Sequence, residues 1–109
     1  MPQLRSRCAK FPGLAELPTG ELIALFEIGE ALESVDSVTY LSRSEDSGKT
    51  WRLQGELYNQ ADAGLDFPYS ECLKPTLLHD GSLIAVGCRI FRNDPNLPVG
   101  NPETGEGRE

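Results

Sequence analysis

Four carboxylates fall within one ten-residue stretch: Glu27, Glu30, Glu33 and Asp36. Burial or a neighbouring like charge raises a carboxyl pKa, and a carboxyl so raised can give or take a proton near neutral pH. The same spacing also fits an acidic loop open to solvent. Lys10, Arg89 and Arg92 are among the cations placed on or beside apparent strands. His79 is the single histidine, and it precedes Asp80-Gly81 in a turn. Cys8, Cys72 and Cys88 lack metal-ligand spacing, so neither a metal site nor a cofactor is expected. The cysteines read as buried or partly buried thiols. A Cys72–Cys88 bridge across a hairpin is the alternative, and nothing in the sequence favours it.

The 109 residues are enough for one small domain, 39% hydrophobic and 25% charged. That balance fits a folded protein. Ten basic against seventeen acidic residues give a formal charge of −7, which argues against nucleic acid or an anionic membrane as partner. The longest apolar run, Leu22 to Phe26, is far short of a membrane span. The basic start, MPQLRSRCAKFPG, has no apolar stretch behind it, so no secretory signal is expected there, and the compartment stays open.

The punctuation is that of a β protein. PTG at 18–20 separates GLAEL from ELIALFEIG, and HDG at 79–81 separates KPTLL from SLIAVGCRI. Each reads as a hairpin turn. SVTYLSR runs into the turn SEDSGKTW, and WRLQGELY returns from it. In that turn Asp46 can accept backbone N–H bonds, Gly48 can take a positive φ, and Trp51 can fold back over the reversal. Strands are expected at about 12–18, 21–29, 37–43, 51–58, 72–78 and 82–91, with no helix of three turns.

An internal repeat links the two halves. Gly20-Glu21-Leu22-Ile23-Ala24-Leu25 matches Gly81-Ser82-Leu83-Ile84-Ala85-Val86, 61 residues further on. The first unit has four strands, the content of a propeller blade. The second has two and then passes into 93–109, a tail rich in proline and glycine that reads as loop. A propeller closes with at least about four blades. Further sheets must therefore come from a longer chain or from several copies, and self-association through uncovered blade faces is expected.

Ser44, Asp46, Gly48, Thr50 and Trp51 spell S-x-D-x-G-x-T-W. This resembles the Asp-box of the sialidase (neuraminidase) superfamily, which lies between the third and fourth strands of a blade. The resemblance covers 10–58 well and 71–92 moderately. It implies an all-β, partial six-bladed sialidase-like propeller of about one and a half four-stranded blades: blade one at about 10–58, the start of blade two at about 71–92, in one domain over 1–109.

The resemblance also implies a carbohydrate substrate or ligand. The family's arginine-apolar-proline motif, which grips a substrate carboxylate, corresponds to Lys10-Phe11-Pro12; lysine keeps the charge and loses the bidentate fork. The family's general acid/base aspartate corresponds to Asp36, with Glu27 as a source of like charge. Arg92 is the expected second substrate-binding cation, by its place just after a strand, and no motif supports it. Where relatives carry Gly-Arg, this chain has Gly29-Glu30. The expected activity is that of a sialidase-like glycoside hydrolase, inactive as this chain alone, because a glycosidase needs a second group across the scissile bond. The alternative is a non-catalytic module that binds glycan or protein. Tyr40, Tyr58 and Tyr69 read as packing residues.

Overall fold

The computed structural model describes residues 8–31, 37–59, 69–91 and 103–104. These residues are all-β and contain no helix. Six strands occur: β1 (Cys8–Glu16), β2 (Leu22–Gly29), β3 (Val38–Ser44), β4 (Arg52–Glu56), β5 (Tyr69–Leu77) and β6 (Leu83–Phe91). The first four form an antiparallel meander in the order β1-β2-β3-β4, and β5 and β6 form a separate antiparallel pair.

All six strands overlap the expected ranges, with β1 and β5 beginning earlier, at Cys8 and Tyr69. Gly20, Gly48 and Gly81 each hold a positive φ at a reversal. At the second reversal two consecutive residues, Ser47 and Gly48, are left-handed (φ 62° and 88°), so glycine there removes one of two costs that L side chains carry. Asp46 closes this turn. Its Oδ1 accepts from the Thr50 N–H at 2.8 Å and its Oδ2 from the Thr50 hydroxyl at 2.5 Å. Ser44 Oγ accepts from the Gly48 N–H at 2.8 Å, and the Trp51 indole donates to the Gly48 carbonyl at 3.0 Å. These bonds hold the Asp46 carboxyl below its usual range, the Thr50 side chain and amide being the main causes.

β1 begins at Cys8, earlier than the expected 12. The reason is a bulge. Pairing with β2 shifts between Lys10 and Gly13, and Phe11 sits there at φ 54°. Pro12 has no N–H for the ladder, so the interruption falls on an edge strand at the residue that could not have paired. Lys74 of β5 spans the gap, donating to the Phe11 and Pro12 carbonyls at 2.9 and 2.8 Å.

The core lies between the two sheets. Ile23, Leu25, Glu27 and Thr39 are almost wholly buried, and Tyr69, Glu71 and Pro75 of β5 are buried as well. Period-two alternation puts Ile23, Leu25 and Glu27 on one face of β2. β6 is different: every residue from Leu83 to Arg89 is exposed, with Leu83, Ile84, Val86 and Phe91 the large apolar ones.

Candidate functional site

In an antiparallel meander, alternate connections lie at opposite ends. The turns at 17–21 and 45–51 share one end with each other. The last residues of β2 and β4 share the other. Pairing then fixes what gathers at that second end. Lys10 lies opposite Glu27 and Glu27 opposite Thr39 in the first sheet; Glu71 lies opposite Arg89 in the second. Tyr58 follows β4, and Tyr69 opens β5. The site is thus at the end of the sheets away from the Ser44–Trp51 turn.

Glu71 is the hub. Its side chain has no exposed surface. One oxygen accepts from the Tyr58 hydroxyl at 2.6 Å and from the Thr39 hydroxyl at 2.7 Å. The other accepts from Arg89 Nε at 2.9 Å. Arg89 Nη2 also donates to the Tyr58 hydroxyl at 3.0 Å, and its guanidinium lies 4.8 Å from the centre of the Tyr69 ring. The Tyr58 and Tyr69 hydroxyls are 3.2 Å apart. Burial, and then the bonds to Glu71 and Tyr69, push the Tyr58 hydroxyl well above its ordinary pKa. This phenol is held protonated, so it serves as a hydrogen-bond donor and not as a ready nucleophile.

Glu27 is fully buried beside this hub. Its Oε1 accepts from the Leu73 N–H of β5 at 3.3 Å and lies 3.5 Å from the Thr39 hydroxyl. Thr39 therefore stands between two carboxyl groups. Glu27 Oε2 is buried with no hydrogen-bond partner among the described residues. Burial raises the Glu27 pKa; the Leu73 amide opposes that, and the Glu71 charge adds to it.

The sign of this shift makes a prediction. Below the ordinary value of 4.5 Glu27 is protonated in both folded and unfolded chains. As pH rises from there through the raised folded value, the unfolded chain ionises first, so stability falls. Glu27→Gln should flatten that decline. Urea midpoints of both proteins from about pH 4 to pH 8 would show it; parallel profiles would mean that Glu27 ionises in the fold at no cost.

Lys10 is buried, and its ammonium donates to the Ala31 carbonyl just beyond β2. It borders the cluster and is committed in part to the protein's own backbone. Asp36 and Arg92 lie outside the described residues. Ser44, Asp46, Gly48, Thr50 and Trp51, the residues that resemble an Asp-box, form the turn described above, at the far end from the cluster. Glu27 is placed in a strand against the second sheet, and its neighbour of like charge among the described residues is Glu71.

Four residues of the cluster, Tyr58, Tyr69, Glu71 and Arg89, were not expected from motif or spacing. Tyr69 does pack, edge-on to Phe91 with ring centroids 6.1 Å apart, but its hydroxyl reaches into the network. One signal could have found Glu71. The repeat offset that carries Gly20 onto Gly81 also carries Lys10 onto Glu71. Both are inward-facing charges near the start of a unit's first strand. All three cysteines are free thiols; Cys8 and Cys72 are half-buried as expected, and Cys88 departs from expectation in being exposed. Among the described residues no group of three or more His, Cys, Asp or Glu side chains is placed to hold a metal ion. No protein-family model, curated protein or solved structure matches this chain.

Proposed function

We propose that this chain is a blade and a half of a sialidase-like propeller that acts on carbohydrate at the sheet end holding Glu27, Glu71, Tyr58 and Arg89. The observation that carries the reading is the pairing of the Asp-box turn at one end of a four-stranded meander with a carboxylate, phenol and guanidinium cluster at the other. Sugars are recognised by carboxylates, guanidinium groups and aromatic faces converging in a partly dry site. The contact of β5 with β1 and β2 also fits neighbouring blades meeting through their inner strands. Further sheets would complete the ring, packing on exposed β6. In this reading Asp36 is the acid/base, Glu27 tunes the charge at the site, and Lys10 and Arg92 bind substrate.

A second reading, a non-catalytic glycan-binding module, is favoured by one observation. Lys10, the residue matching the family's substrate-gripping arginine, is buried and donates to a main-chain carbonyl. Saturation-transfer NMR on the intact protein, with a sialoside and with a neutral glycoside, tests the carbohydrate reading common to both. Turnover assays of the full-length parent, as wild type and Asp36→Asn, separate them. Release of sugar that falls by about 10²-fold or more in the variant marks a hydrolase; transfer without release marks a module.

A further inference from the structure

Cys72 and Cys88 face each other directly across the β5–β6 ladder. Directly opposite residues in an antiparallel pair have Cα atoms about 4.5–5.5 Å apart, inside the 4.4–6.8 Å that a disulfide spans. Their side chains leave the same side of the hairpin, because opposite residues share a face. The Cβ atoms must close by up to about 1 Å from ladder spacing to reach disulfide spacing. Two features make that closure cheap. β6 is exposed from Leu83 to Arg89 and pairs with β5 alone, so it can shift without repacking a core. Gly87, next to Cys88, lets the strands approach closely: a Cβ there would lie 1.6 Å from the Cys72 carbonyl oxygen.

We infer that Cys72 and Cys88 form a cross-strand redox pair, modified by small disulfide oxidants such as oxidised glutathione. Both thiols are free, with Cys88 exposed and Cys72 half-buried. The exposed Cys88 thiolate attacks one sulfur of the oxidant, forming a mixed disulfide and releasing one glutathione thiolate. The Cys72 thiolate then attacks Cys88 Sγ, forming the internal bond and expelling the second glutathione. Two protein thiols are oxidised, one external disulfide is reduced to two thiols, and the two protein protons pass to the departing thiolates or to solvent. Lys74, two residues along β5, sits close enough to favour the Cys72 thiolate, although burial dominates and raises that thiol.

The bond has a consequence at the site. The next rung of the ladder is Glu71 opposite Arg89. A bridge one rung away ties the exposed strand carrying Arg89 to the strand carrying the buried hub. Oxidation therefore stabilises the hairpin that presents both charges, independently of what the site binds.

The test is a thiol count on the full chain before and after oxidised glutathione, under denaturing conditions, with peptide mapping. The reduced chain has three thiols. The expected result is one remaining thiol, at Cys8, an internal 72–88 link, no retained glutathione, and a higher urea midpoint that dithiothreitol reverses. Cys8→Ser should oxidise completely, leaving none. Cys88→Ser should form no internal link. Three persisting thiols, retained glutathione on Cys88, a link to Cys8, or chains crosslinked to one another would each overturn the inference.

Discussion

Glu71→Ala is expected to destabilise the fold by about 3 kcal/mol. The carboxylate is fully buried and accepts from three donors on three different segments. Without it the Thr39 hydroxyl, itself almost wholly buried, keeps only the long 3.5 Å contact to Glu27 Oε1, and a poorly satisfied buried donor costs about 1–3 kcal/mol. Tyr58 loses its strongest acceptor while half-buried. Arg89 contributes least to the loss, because about a third of its side chain (35%) is exposed and water can take over its partner's role. Whole-domain stabilities are about 5–15 kcal/mol, so a loss of this size removes a large share. Glu71→Gln keeps one carbonyl acceptor and should lose less. Urea denaturation of the three proteins reads the order directly. A loss below about 1 kcal/mol for the alanine variant would mean that water already satisfies the hub.

Gly87→Ala should have an effect of similar size but local reach. The new methyl would lie 1.6 Å from the Cys72 carbonyl oxygen, 2.7 Å from its carbon and 2.9 Å from the Leu73 Cα. All three are backbone atoms of β5, and no rotamer change relieves the overlap. The strands must part at this rung, at a cost of about 3 kcal/mol. β6 pairs only with β5, whereas β1 to β4 hold one another. Amide exchange should therefore quicken across 83–91 and stay slow in β2 and β3. Wild-type protection in β6 of the variant would show that the strands are farther apart there than the structure has them.

Strand positions were legible because turns and period-two alternation are local properties. Gly20, Gly48 and Gly81 mark three reversals, and each holds the positive φ that glycine tolerates. The start of β1 was not legible: Phe11 and Pro12 look like the point where a strand begins, while the chain passes through a bulge there and is already paired at Lys10. Glu27 was legible as a residue of interest, but its contact with the second sheet was not. Its like-charge partner, Glu71, is 44 residues away in sequence, on the other sheet (71 − 27). Tyr58 and Tyr69 read only as packing residues, and Arg89 only as a cation without a motif, for the same reason. Alternation tells which face a side chain takes, not which strand of another sheet that face will meet. The repeat offered a pointer to Glu71, since it aligns Lys10 of one unit with Glu71 of the next as equivalent positions.

The two ends of the meander divide the work. At one, Asp46, Thr50 and Trp51 satisfy a tight turn's polar groups with local bonds. At the other, Glu27 and Glu71 are held in a dry environment by contacts that exist only because two sheets pack. Chemistry that depends on a shifted carboxyl belongs at the second end, where burial supplies the shift.

The carbohydrate reading is tested most directly by saturation-transfer NMR on the intact protein with a sialoside and a neutral glycoside, beside the Glu71→Gln variant. The account predicts transfer to sugar protons in the wild type and weakened transfer in the variant. No transfer to either glycan, or transfer that the variant leaves unchanged, would contradict it.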